Sequence, residues 1–196
     1  MNYKIKKISG DASFREFYRL KKNNKSSIIV SAKKNKYKNL IVYSAINNIL
    51  ISNKIHAPRL ISSHYRNNMI EISDLGEKSF YDFIVLRKNK LSEYKSLIKL
   101  IIKLQKIKIK KVYKIGKFKV KLSKYSSNHL HKESDLFFKW YLKYSLKNKN
   151  MNKIKKLLRA ELNKVYKKLN FKNDTFVHRD FHVSNIMLGK KKLSKI

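Results

Sequence analysis

An α+β fold is predicted: rich in strands over residues 1–73, helical over residues 74–196. Three observations predict it. Short apolar stretches broken by turn residues fill the first part. Apolar residues at helical spacing fill the second, beyond Asp74-Leu75-Gly76. Near the end a polar run, His178–Asn185, lies between the apolar groups Phe176-Val177 and Ile186-Met187-Leu188, which read as short buried strands holding a loop at both ends.

Taken in order, residues 3–20 read as two strands joined by the tight polar loop Ser9-Gly10-Asp11-Ala12-Ser13. Ile28-Ile29-Val30 reads as a third strand, short and buried by its continuous apolar run. Tyr37, Leu40, Ile41 and Ser44 recur at helical spacing and place a helix over about 36–52. Ala57-Pro58 breaks it, and Arg59–His64 and Met69–Ile72 pair around a turn at Arg66-Asn67-Asn68. Beyond Gly76, one apolar helix face is expected from Tyr94, Leu97, Ile98, Ile101 and Ile102, extended by Gln105. A second is expected from Leu136, Phe137, Trp140, Tyr141 and Tyr144, where aromatics at this spacing read as core. A third comes from Ile154, Leu157, Leu158, Leu162, Val165 and Leu169. Residues 107–132 are lysine-rich and carry no clear period, so no element is assigned there.

The composition sets limits. With 196 residues and 42% apolar content, the chain can bury one sizeable core or two small lobes. It has no cysteine, which excludes disulfides and cysteine-based zinc sites. The N-terminus lacks an apolar leader, and no stretch approaches the roughly 18 apolar residues of a membrane span. A cytoplasmic protein without a membrane partner is expected. The net charge is +37, from 49 basic against 12 acidic residues. Lysines are spread evenly, at Lys4, Lys36, Lys88, Lys108, Lys143 and Lys190 alike, and arginine, the better phosphate and guanine reader, is scarce. Lys, Ile, Asn and Tyr are enriched together, which fits compositional drift in an AT-rich genome rather than a dedicated nucleic-acid surface.

The chemistry concentrates in His178-Arg179-Asp180-Phe181-His182-Val183-Ser184-Asn185, the pattern H-R-D-x-x-x-x-N. Phosphoryl transfer uses these residue types at this spacing: an aspartate to take or orient the acceptor hydroxyl proton, and an asparagine that turns back to a magnesium ion on the nucleotide phosphates. His182 is read equally as a hydrogen-bonded structural histidine or as a substrate contact. Gly10-Asp11-Ala12-Ser13-Phe14-Arg15, between the first two strands, can cradle phosphate through backbone N–H groups and the Ser13 hydroxyl. A Gly-Asp turn is common in hairpins, so this reading leans on the downstream loop.

The variant H-R-D-F-H-x-x-N resembles the loop of the aminoglycoside phosphotransferase and choline kinase superfamily. Ser9–Arg15, Ala57-Pro58-Arg59-Leu60, Ser73–Gly76, Phe137–Tyr141 and the loop occur in the expected order. Together they resemble bacterial kinases acting on the anomeric hydroxyl of N-acetylmuramate and N-acetylglucosamine. The resemblance implies a protein-kinase-like two-lobe fold. Residues 1–73 would be an N-terminal nucleotide-binding lobe with an antiparallel sheet. Residues 74–196 would be a partial helical C-terminal lobe carrying the catalytic loop 177–188. It implies ATP and Mg2+ as cofactors and a small-molecule sugar as substrate. Asp180 would be the catalytic base, His178 and Arg179 braces of the loop, and Asn185 a magnesium ligand. Gly10, Asp11, Ala12 and Ser13 would hold phosphates. Ile72 and Ser73 would lie at the adenine-facing hinge, with Asp74 either a helix N-cap or part of that hinge.

Two departures qualify this. The third strand has no internal lysine, only Lys33 and Lys34 at its end, and the helix 36–52 has no acidic residue to pair with one. In the family, a strand after the loop leads to an Asp-Phe-Gln-Asp-like segment whose first aspartate is the main magnesium ligand. Here Lys191–Ile196 reads as the start of that strand and the chain stops. The expectation is a C-terminally truncated kinase, impaired or inactive in this form, with a complementing C-terminal fragment as the partner to look for. The competing expectation is a non-catalytic nucleotide-binding pseudokinase or a basic polyanion-binding protein.

The even lysine distribution predicts that duplex DNA binds without sequence preference, at roughly 10⁻⁴–10⁻⁶ M near physiological salt. Fluorescence anisotropy across a salt series checks this; a nanomolar, sequence-selective complex would contradict it.

Overall fold

Strand alternation builds the sheet. The structure, a computed structural model, describes residues 3–8, 15–23, 25–33, 37–145, 150–169 and 174–189. Strands β1 (Tyr3–Ile8), β2 (Arg15–Lys22) and β3 (Lys25–Ala32) are joined by β4 (Leu60–His64) and β5 (Met69–Ser73) in one five-stranded sheet of order β1-β2-β3-β5-β4. All neighbouring pairs are antiparallel. β3 is longer than its apolar run suggests, and it alternates: Ile28, Val30 and Ala32 are buried while Ile29 is half-buried. The register sets Ile28 beside Ile72 and Val30 beside Ile70, so two strands present one apolar face.

That face is covered by α1 (Tyr37–Ser52), whose buried Leu40, Ile41, Ser44, Ala45 and Ile49 recur every three or four residues. The helix starts one residue inside the expected 36–52, residue 36 lying outside the described residues. Ser44 returns its hydroxyl to the Leu40 carbonyl at 2.9 Å and accepts from the Tyr65 hydroxyl at 3.1 Å, so these two buried hydroxyls are paired. Tyr65 opens a 3₁₀ turn, Tyr65–Asn67, and Asn68 at φ 53° closes it, matching the turn expected between β4 and β5. Asparagine tolerates this left-handed conformation better than most residues.

Past the sheet, a short helix α2 (Phe80–Ile84) precedes α3 (Leu91–Gln105). α2 has a sequence signature that the apolar period missed: Ser79 accepts from the Asp82 N–H, and the Asp82 carboxylate accepts from the Ser79 N–H, a capping box. The buried face of α3 differs from expectation. Leu97 and Leu104 are buried, with Leu100 packed beside them, while Tyr94, Ile98 and Ile102 are exposed. The helix is apolar around much of its circumference, and only the side meeting Ile49, Ile55, Phe80 and Phe176 finds partners. Within the unassigned 107–132 stretch, β6 (Tyr113–Ile115) and β7 (Phe118–Val120) form a hairpin at Gly116, whose φ of 53° suits glycine. Ile115 and Val120 join the sheet–α1 core.

Packing divides the chain into two compact units, Met1–Leu122 with Thr175–Ile196, and Ser123–Asp174. The second unit holds α4 (Ser127–Leu136), a π-helical stretch Phe137–Leu142, α5 (Lys143–Ser145) and α6 (Met151–Lys168). Arg159 pairs with Asp135 and lies over the Phe138 ring at 5.7 Å, and His131 meets Tyr166 edge-on at 4.9 Å. The two apolar faces expected here are corrected. Phe138 and Leu142 are the buried residues, and Leu136, Phe137, Trp140, Tyr141 and Tyr144 are exposed. In α6, Ile154 and Leu162 are half-buried, and Leu157, Leu158, Val165 and Leu169 are exposed. In 136–144 apolar side chains point nearly all round, and the wider π turn shifts which of them face inward. Among the described residues, no helix is long and apolar enough to cross a membrane.

Leu40 is fully buried against β3 and β5. Leu40→Ala is expected to cost about 2–5 kcal/mol, whereas Leu157→Ala should stay within about 0.5 kcal/mol. Urea unfolding of both variants checks this; the first midpoint should fall and the second should not.

Candidate active site

The loop of 176–188 owes its shape to alternating anchors. Phe176 is buried with Ile49, Ile55, Leu104 and Ile107. Phe181 reaches that cluster and a second one built on Phe80, Ile84 and Leu97, which Val183, Ile186 and Leu188 also join. These apolar side chains face inward, and the polar residues between them, His178, Arg179, Asp180, His182 and Asn185, are exposed. Val177 is exposed too, so the loop enters without a buried apolar pair. It leaves through one antiparallel bridge, Met187 to Ser79, rather than a full strand. The Phe80 N–H donates to the Ile186 carbonyl at 2.6 Å, and the Leu188 N–H donates to the Lys78 carbonyl at 2.9 Å.

Inside the loop, Arg179 sits at φ 69°, a left-handed conformation that a long side chain rarely adopts. Such outliers cluster at functional sites. One 3₁₀ turn, Val183–Asn185, is closed by the Asn185 N–H donating to the His182 carbonyl at 3.0 Å. This turn carries Asn185 back to Asp180. The Asn185 side-chain N–H donates to Asp180 Oδ2 at 2.7 Å and to the Asp180 carbonyl at 3.1 Å. His182 Nε2 stands 3.5 Å from Asp180 Oδ1, an ion pair only when the imidazole is protonated. His178 packs its ring edge-on to Phe181 at 5.7 Å. The Asp180 carboxylate is 73% exposed, so an acceptor from solvent can reach it.

The structure thus gathers Asp180, Asn185 and His182, with His178 and Arg179 at the loop's entrance. Ile72 lies in β5 with its side chain in the core. Ser73 follows it, its N–H donating to the Arg59 carbonyl and its hydroxyl accepting from the Arg59 N–H, both at 2.8 Å. The Ser73 N–H and hydroxyl are therefore both engaged by Arg59. Gly10, Asp11, Ala12 and Ser13 lie outside the described residues, as do Lys34 and the strand expected at 191–196. Lys33 is exposed at the end of β3.

Asp74 is not a helix cap; Ser79 caps α2 instead. Asp74 accepts from the Gly76 N–H at 2.9 Å and takes the fork of Arg19, from Nε at 2.7 Å and from Nη2 at 3.2 Å. Arg19 Nη2 also donates to the Gly76 carbonyl at 2.8 Å, and Nη1 to Glu77 at 2.7 Å. The carboxyl of Asp74 is only 5% exposed. Burial pushes its pKa up, but hydrogen bonds from Arg19, Gly76 and Ser26 outweigh that and hold it below the ordinary carboxylate value. Sequence reasoning missed Arg19. A signal existed: the β2 register puts Arg19 beside Ile28 and Phe17 beside Val30, so a charged residue shares the face of buried ones.

These features define an α+β chain with an exposed loop on which Asn185 returns to the Asp180 carboxylate. No family model matches the chain. A curated N-acetylmuramate/N-acetylglucosamine kinase of Pseudomonas aeruginosa is similar to it, 25% identical over an aligned length of 191 residues, with 93% of this chain and 51% of that protein covered. The chain spans about half the length of that relative. The similarity supports a kinase relationship.

Because the Asp74 pKa is depressed in the folded state, its ion pair stabilises fully above about pH 5 and is lost as pH falls below about 4 toward the folded value. Asp74→Asn should therefore be less stable than the wild type at neutral pH, and the gap should close in acid. Denaturant midpoints between pH 7 and pH 2.5 (roughly the range in which carboxylates titrate) check this.

Proposed function

We propose that the chain is an ATP-dependent phosphotransferase of the aminoglycoside phosphotransferase type, moving the γ-phosphate to a hydroxyl of an amino sugar or related sugar. The observation that carries this reading is the return of Asn185 onto Asp180 at 2.7 Å on an exposed, two-sided anchored loop. The similarity to a sugar kinase supports it. In this reading residues 1–73 hold the nucleotide and residues 74–196 carry the catalytic loop, in a cytoplasmic setting.

Each residue then has a task. Asp180 accepts the proton of the acceptor hydroxyl as the oxygen attacks, which requires a carboxylate open to the acceptor. Asn185 orients that carboxylate through its amide N–H, and His182 faces the other carboxylate oxygen. His178, against Phe181, and Arg179, at its left-handed turn, brace the loop's entrance. Gly10, Asp11, Ala12 and Ser13 would receive the phosphates, and Ile72 and Ser73 would border the adenine.

Magnesium, when bound to such a nucleotide, neutralises charge on the phosphates. The donor set for it is thin here. Among the described residues no three His, Asp or Glu side chains gather to hold a metal ion. Asn185 offers one amide oxygen next to the Asp180 carboxylate, whereas magnesium favours carboxylate and phosphate oxygens together. The described residues do not fit the metal by themselves, and turnover by the chain is proposed to be impaired.

In a version extended by the C-terminal segment that the resemblance implies, Asp180→Asn should lower turnover by about 10²–10⁴-fold with nucleotide affinity little changed. The measurement is ADP release with ATP, magnesium and a panel of amino sugars, together with ATP affinity by calorimetry. Wild-type turnover in the variant would remove Asp180 from the mechanism. Thermal stabilisation by ATP without turnover on any sugar would favour the nucleotide-binding alternative instead.

A further inference from the structure

Between β5 and α2 the chain runs from Asp74 to Ser79 in neither helix nor strand, yet both of its sides are fixed. On one side stands Arg19 of β2, with four guanidinium hydrogen bonds: two to the Asp74 carboxylate, one to the Gly76 carbonyl and one to Glu77. On the other side the same segment holds the exit of the loop, through the Lys78 carbonyl, the Ser79–Met187 bridge and the Phe80 N–H. Gly76 links the two. Its φ is 105°, and a Cβ built on it would sit 4.0 Å from the Leu188 carbonyl oxygen, so the turn that Arg19 grips lies against the chain leaving Asn185.

We propose that Arg19 is a positioning residue for the Asp180–Asn185 loop, acting through the Asp74–Phe80 segment. That the positioned loop transfers phosphate rests on the function proposed above. The chemistry of the grip favours this role over simple stabilisation. A well-packed apolar residue can replace a buried ion pair at little or no cost in stability. A planar guanidinium bound at two points to a carboxylate fixes orientation as well as distance. Arg19 uses that property on three acceptors within four residues, at Asp74, Gly76 and Glu77, and so sets the path of the backbone that the loop exit hydrogen-bonds to. The anchor is also on β2, the strand that directly follows residues 9–14, where phosphate contacts are proposed.

Amide hydrogen exchange on the full chain tests this without requiring turnover. In Arg19→Met, the Phe80 and Leu188 amides should lose about 10–100-fold in protection, while Ile28 and Val30 in the sheet core keep theirs within about threefold. Arg19→Lys keeps the charge but not the fork, and should recover only part of that protection. Glu77→Ala removes one exposed arm and should give a smaller loss at the same two amides. It decides the matter if the Met variant does not fold. Equal loss across sheet and loop, or no loss at Phe80 and Leu188, overturns the proposal. In parallel, kcat should fall more than the KM for ATP in Arg19→Met. Absence of phosphoryl transfer even in a version extended by the C-terminal segment that the resemblance implies would overturn the kinase reading alone, leaving the exchange result to judge Arg19.

Discussion

The stretch Asp74–Phe80 has the sheet on one side and the candidate catalytic loop on the other, and the arrangement of the site depends on its being held. A run outside helix and strand would ordinarily be free to wander, at a conformational cost of about 1–2 kcal/mol for each residue fixed. Here hydrogen bonds from Arg19 and an internal turn at Asp74 offset that cost, and the capping box of Ser79 and Asp82 starts α2 at a defined point. α2 then supplies Phe80 and Ile84 to the cluster on which Phe181, Val183, Ile186 and Leu188 rest. Remove the anchoring and the loop loses both its floor and its exit.

Electrostatics make the use of acidic residues informative. With 49 basic residues against 12 acidic ones, each carboxylate has many cations to choose from. Most of those described are engaged structurally: Glu16 with Lys7, Asp74 and Glu77 with Arg19, Glu93 with Arg87, Asp135 with Arg159, Glu161 with Lys164. The Asp180 carboxylate is held differently, by an amide and beside an imidazole, on a surface open to solvent. In the reading proposed for Asp180 as a base, an amide orients the carboxylate without competing for a proton, which suits that role better than a lysine would.

The exposed aromatic and aliphatic residues of α3, of 136–144 and of α6 belong to the same physical account. A helix apolar on more than one side has no intrinsic preference for which side to bury. α3 turns Leu97 and Leu104 inward because Phe80, Ile49 and Phe176 stand there, and so leaves Tyr94, Ile98 and Ile102 to solvent. In the second unit Phe138, beneath Arg159, takes the buried place that the helical period assigned to Trp140 and Tyr141.

Local chemistry was legible in the residues themselves. Period-two and period-3.6 patterns placed β1 to β5 and α1 to within a few residues, because each such element needs an apolar face and little else. The types and spacing of Asp180 and Asn185 pointed to an asparagine turning back toward a magnesium ion; its hydrogen bond to the Asp180 carboxylate, made next to a 3₁₀ turn, came only with the folded loop. Tertiary structure alone decided what depends on a partner distant in the chain. The face α3 buries was one such choice. The fate of Asp74 was another, settled by an arginine 55 residues earlier. A strand period says that Arg19 points inward, but only the folded chain brings it a carboxylate, a carbonyl and a second acid to hold.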